Sequence, residues 1–186
     1  MYHIPNDKRA QKSADLIIQS LYKCLEKKPL NDIKVSDIFL NSYVSRATFY
    51  RLFDSIYDVL QYQCDSIVDE IADSLKTKHF ESMKEMGMYN IKLWLKHDKL
   101  IEEIVENLLY NLVFQSIINH KEGFKLTYGF DYDESPQTMY FVYYIATMVF
   151  TSFVICYKEK GKKSVEEIIE ENNKMIRDIV NFWEIG

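Results

Sequence analysis

An all-α chain is what this sequence predicts, on three observations. Apolar residues recur at three- and four-residue steps along most of its length. Only five Gly and three Pro punctuate 186 residues, too few for a turn-rich all-β protein. Ser residues stand where helices should begin, one of them followed three positions later by Glu. With 47% hydrophobic and 27% charged residues the chain has enough apolar side chains for an ordered core.

The elements follow in order. The first helix is expected over about Gln11 to Lys27, with Ala14, Ile17, Ile18, Leu21, Cys24 and Leu25 on one face, and Pro29 with Asn31-Asp32 to stop it. Val35, Ile38 and Phe39 mark a short second helix, broken at Val44-Ser45. Ser45 caps a short third helix whose inner face is Phe49, Leu52 and Phe53. Asp54-Ser55 opens a fourth helix to about Lys78, striped by Val59, Leu60, Cys64, Ile67 and Ile71. A fifth is expected from about Met86, after an interruption at Gly87, to Lys96. One long sixth helix is read from Asp98 to His120. Gly123, Gly129 and Pro136 bound an aromatic-rich loop. An uncharged helix runs from Gln137 to near Gly161, and Ser164 with Glu167 caps the last.

The net charge of −5 is unevenly spread. Residues 1–53 hold nine Lys/Arg against five Asp/Glu, a surplus of +4, and the remainder carries −9. A basic head on an acidic body suits a protein in which only the head meets a polyanion. The expected division is therefore a DNA-binding domain over 1–54 and a regulatory, ligand-binding and dimerisation domain over 55–186. On the third helix Ala47 and Arg51 stand opposite the apolar face, flanked by Arg46, Thr48 and Tyr50. Arg can donate twice to a guanine edge, Thr can meet a thymine methyl, and Ala permits close approach. The Tyr50 hydroxyl and the amides behind Ser45 suit phosphate. Periodicity alone leaves a merely polar surface helix equally open.

The run Ile33-Lys34-Val35-Ser36-Asp37-Ile38, then Val44-Ser45-Arg46-Ala47-Thr48-Phe49-Tyr50-Arg51-Leu52-Phe53, then Ser55-(x)4-Leu60 resembles the tetracycline-repressor (TetR) family. The resemblance spans about Ile17 to Leu60. It implies a homodimeric, ligand-responsive transcriptional regulator, usually a repressor, acting on a near-palindromic double-stranded operator. It also implies base contacts from Ser45, Arg46, Ala47 and Thr48, and backbone contacts from Tyr50, Arg51 and Lys34, Val35 and Ser36. Two positions depart from the family pattern. Tyr43 stands where Gly is usual, so a left-handed turn there would strain it, though its hydroxyl could meet a phosphate. Ile56 replaces a usual Lys. A helical protein that binds a small molecule or a partner, with a degenerate DNA motif, is the alternative.

An enzyme is not expected. There is no phosphate loop and no GxSxG. His3, His79, His97 and His120 are isolated, so neither metal nor cofactor is anticipated, although His97-Asp98 with Glu102 or Glu106 could in principle meet on a helix face and hold a divalent ion. Cys24, Cys64 and Cys156 have no paired spacing, and a cytoplasmic, reducing setting follows. The second half is rich in aromatic residues, among them Tyr89, Tyr128, Phe130, Tyr132, Tyr140, Phe141 and Tyr143. Most of them belong to the core or a dimer face. Trp94, Tyr110, Phe114 and Tyr144 are the first candidates for an effector pocket, with an apolar or aromatic effector expected and a cationic one favoured. Phe153, Ile169, Ile176, Val180 and Trp183 are expected at the dimer interface, where Ala146, Thr147, Thr151 and Ser152 allow close packing. The uncharged stretch Ser135–Tyr157 is long enough to span a bilayer, but its Tyr, Thr and Ser content favours a buried soluble helix and no membrane.

Overall fold

Asp7 starts the first helix, its carboxylate accepting the amides of Arg9 and Ala10 at 2.9 Å each. This cap sets α1 at Lys8–Leu25, three residues ahead of the expected start. The computed structural model describes residues 1–120 and 135–184, less the side chains of Met83, Ile145, Ile176 and residues 179–184. Among the described residues the further helices are α2 (Val35–Ser42), α3 (Arg46–Leu52), α4 (Ile56–Thr77), α5 (Met83–Leu95), α6 (Asp98–Glu106), α7 (Tyr110–Asn119), α8 (Pro136–Lys158) and α9 (Val165–Glu184). An isolated antiparallel bridge joins Tyr2 to Phe53. The chain is all-α. Gly123, Gly129, Tyr128, Phe130 and Tyr132 lie outside the described residues.

The chain divides into two compact units, Met1–Cys64 and Asp65–Gly186. In the first, α1 packs on α2 and α3, and its Ala14, Ile17 and Leu21 are closed to solvent. The buried Ser20 hydroxyl donates to the Ile38 carbonyl at 2.8 Å, and Lys28 reaches Asp37 at 2.6 Å. Rings of Phe39, Phe49, Phe53 and Tyr62 follow one another at 5.8, 5.9 and 6.0 Å between centroids. The boundary between the two units lies inside α4. Its opening turns bring Tyr62 against Phe53 and Gln63 within 3.1 Å of the Tyr22 hydroxyl. Ser55 and Asp58 cap it reciprocally, at 2.9 and 3.2 Å.

In the second unit α8 lies against α5, α6, α7 and α9. Its inner face, Val142, Ala146 and Phe153, is closed to solvent, whereas Tyr140, Phe141, Tyr143 and Tyr144 are exposed. An 18-residue stretch of this 23-residue helix is apolar enough to cross a membrane, with a mean hydropathy of 1.8, yet four helices of its own unit pack on the helix. Its lack of charge therefore combines a core face with a row of tyrosines. Ser164 and Glu167 form the expected capping box of α9, at 2.7 and 3.2 Å. Gly87 does not interrupt α5, which begins at a Ser82 cap.

The long sixth helix is corrected to two. Asn107 ends α6, Leu108 turns left-handed at φ 55°, and the Leu109 amide reaches back to the Ile104 carbonyl at 2.9 Å. This is a Schellman closure, with leucine where glycine is usual. Periodicity could not reveal it, because Leu108 and Leu109 continue the apolar stripe.

Candidate nucleic-acid interface

Three residues, Tyr43-Val44-Ser45, separate α2 from α3. Tyr43 is left-handed, φ 55° and ψ 16°, as expected of a position where glycine would be at ease. Val44 is buried, and its amide donates to the Ser42 hydroxyl at 3.2 Å. Ser45 returns to extended backbone and caps α3, its Oγ accepting the Thr48 amide at 3.1 Å. The two hydroxyls of Ser45 and Thr48 also share a hydrogen bond at 2.9 Å. Phe49 and Leu52 are fully buried, so the opposite side of α3 must face water.

That side carries the anticipated residues. Ser45, Arg46, Ala47, Tyr50 and Arg51 are exposed and Thr48 is half-buried. At the start of α2 Lys34 and Ser36 are exposed and Val35 is half-buried. The two ends meet at a groove of about 530 Å³ whose walls include Lys34, Ser36, Arg46, Tyr50 and Tyr57. The Arg46 guanidinium lies 5.6 Å from the centroid of the Tyr50 ring, a cation–π contact that steadies a long side chain. Asp54 also borders the groove. Hydrogen bonding to the Met1 ammonium, at 2.9 Å, holds its carboxyl below the ordinary range and offsets its charge.

Ile56 is buried at the floor of this groove, which explains why an apolar side chain is at home there. The exposed neighbour Tyr57, missed in the sequence, stands on the rim with its hydroxyl donating to Asn31 at 3.1 Å. Its signal was the polar-tipped ring in the first turn after a Ser cap.

The four residues expected to line an effector pocket take different places in the second unit. Trp94 is 1% exposed and stacks on Phe153 at 5.4 Å. Tyr110 and Phe114 approach Phe150 at 4.5 and 6.1 Å, and Phe150 in turn meets Phe153 at 5.0 Å. These rings fill one another's space. Tyr144 stands on the exposed face of α8. Of the residues expected at a dimer interface, Phe153 and Ile169 are buried within their own unit. The side chains of Ile176, Val180 and Trp183 lie outside the described residues.

No disulfide joins the three cysteines, all of them buried, and burial pushes the Cys156 thiol up to about 11. Among the described residues no three His, Cys, Asp or Glu side chains gather as metal ligands.

No family profile and no curated protein matches the chain. A solved structure does: Lin0861 from Listeria innocua has a similar fold, with a TM-score of 0.78 and 16% sequence identity, over 95% of this chain and 96% of that one. At that identity the likeness extends to the fold alone.

Proposed function

We propose that this chain is a sequence-specific DNA-binding regulator of transcription, a TetR-like, ligand-responsive homodimer whose α2-turn-α3 unit enters the major groove. The observation that carries the reading is α3 itself: a Ser-capped helix, buried through Phe49 and Leu52, that presents Arg46, Ala47, Thr48, Tyr50 and Arg51 beside a groove bordered by Lys34 and Ser36. The basic surplus of residues 1–53 supports it.

In this reading Arg46, Ala47 and Thr48 read base edges, while Lys34, Ser36, Tyr50, Arg51 and the exposed Tyr43 hold phosphates. Two copies would place their α3 helices about one helical turn, ~34 Å, apart on a near-palindrome. The continuous helix α4 runs from the first unit into the second and is the natural carrier of an effector's influence. A hundredfold loss of DNA affinity requires about 2.7 kcal/mol of preference for the non-binding state. Buried cysteines without a disulfide suit the cytoplasm.

Selection of bound duplexes from a random pool tests the proposal. A recovered inverted repeat, bound with steep salt dependence and protected by the wild-type chain but not by Arg51→Ala, is the expected result. Recovery of no common sequence would overturn it in favour of a helical small-molecule- or partner-binding protein.

A further inference from the structure

Just past the end of α4 the second unit holds an open cleft of about 340 Å³. Lys78, His79 and Phe80, which follow the helix directly, line it together with Glu85, Met88, Tyr89 and Lys92 of α5. None of these residues is buried, so each offers surface to a molecule in the cleft. The Tyr89 ring is held in place. Its hydroxyl donates to Ser74 Oγ at 2.9 Å, and Phe80 lies against it with centroids 5.4 Å apart and planes inclined at 50°. The Lys78 ammonium sits 5.1 Å from the centroid of the same ring.

The charges around the cleft are not equally committed. Lys92 is paired with Glu166 at 2.7 Å. The Glu85 carboxylate accepts the Glu81 amide at 2.8 Å at the start of α5, where a helix favours negative charge. Lys78 has no carboxylate partner among the described residues, and neither has His79. In a chain that carries −9 beyond residue 53, two neighbouring basic side chains without acidic partners are a local reversal. An exposed ion pair by itself contributes little, so a bare anion gains almost nothing here. The apolar surface of Phe80, Met88 and Tyr89 must supply the remainder, and the volume suits a small organic molecule. An uncharged ring would leave Lys78 unmatched, and a cation would meet it as a like charge.

We propose that this cleft binds a small aromatic carboxylate, its ring against Phe80, Met88 and Tyr89 and its carboxylate on Lys78, with the His79 ring as a second donor. The binding rests on the cleft; its role as an effector site rests on the DNA-binding reading above. A bound carboxylate would tie Lys78, next to the last residue of α4, to α5, and so favour the arrangement of the two helices that holds it. The preferred charge is the opposite of the cationic effector that the aromatic content favoured.

The test uses the full chain with ¹³C-methyl methionine, the Met88 signal assigned from Met88→Leu, in separate titrations at constant ionic strength. The probes are benzoate, benzyl alcohol, benzylamine and inorganic phosphate. Benzoate should shift the Met88 methyl saturably, benzyl alcohol and phosphate about fivefold more weakly, and benzylamine not at all. Lys78→Gln, at an exposed position, should weaken benzoate about fivefold and leave benzyl alcohol unchanged. Lys78→Arg should retain benzoate, and Lys96→Gln, outside the cleft, should have no effect. Tyr89→Leu should weaken benzoate and benzyl alcohol alike. Absence of a saturable benzoate shift, undiminished benzoate affinity in Lys78→Gln, or phosphate binding as tight as benzoate would each overturn the site. Duplex affinity is measured in parallel by anisotropy. Saturable benzoate binding with unaltered duplex affinity upholds the site and overturns only its effector role.

Discussion

Trp94 and Phe153 stack with their ring centroids 5.4 Å apart and 21° between planes, joining α5 to α8 with neither ring exposed. The pair anchors a series of rings that continues through Phe150 to Tyr110 and Phe114. Removing the Phe153 ring should therefore cost fold stability, not assembly. Phe153→Ala is expected to lose ~3–5 kcal/mol in urea denaturation, from lost transfer energy and the cavity left behind. A folded variant of unchanged stability whose self-association alone is weakened, as seen by analytical ultracentrifugation, would return Phe153 to an interface.

Tyr43 holds φ 55° with its side chain fully exposed, so nothing in the chain's packing repays the strain. Relief of a left-handed L-residue is worth roughly 1–2 kcal/mol, and glycine's extra chain entropy returns about 0.5–1. Tyr43→Gly is thus predicted to stabilise the first unit by up to about 1 kcal/mol, and Tyr43→Val to destabilise it. Leu108→Gly should act likewise at the α6–α7 turn, where φ is also 55°. Denaturation midpoints that fall in both glycine variants would contradict the strain.

For the nucleic-acid face, Arg51→Ala and Tyr50→Phe are predicted to weaken binding to every duplex, because each removes a group suited to phosphate. Arg51→Ala should also reduce the salt slope by about one unit, whereas Tyr50→Phe, which removes no charge, should leave it unchanged. Thr48→Ala and Ala47→Ser should instead change preference at single base positions, by ~1–3 kcal/mol. Affinities and footprints indistinguishable from wild type in all four would remove α3 from the interface.

Asp37 gives a pH prediction. Hydrogen bonds from the Lys28 ammonium, at 2.6 Å, and the Lys34 amide, at 2.7 Å, hold its carboxyl below the ordinary 3.8. A carboxyl depressed in the folded state stabilises above its unfolded value and loses that contribution as pH falls through the folded one. Wild type should therefore melt higher than Asp37→Asn at neutral pH, with the gap closing below pH 3.8. A gap that stays constant into acid would show that the ion pair contributes nothing.

Local chemistry was legible without coordinates. The capping box at Ser164, the Ser45 cap and the buried faces of α1 and α3 depend on residues within a few positions of one another, whereas the left-handed Tyr43 was implied only by the family resemblance. So did the exposed face of α3, since burying Phe49 and Leu52 forces Arg46, Ala47 and Arg51 outward. Tertiary structure alone decided which aromatic residues were core. Trp94, Phe153 and Tyr144 share a residue class and a helical setting, yet two are buried and one is exposed, because that depends on which helix lies alongside. The same holds for Asn90. It sits one turn after Met86 and one before Trp94, a polar residue in an apolar stripe, and only the tertiary packing around α5 buries its side-chain carbonyl without a hydrogen-bond partner.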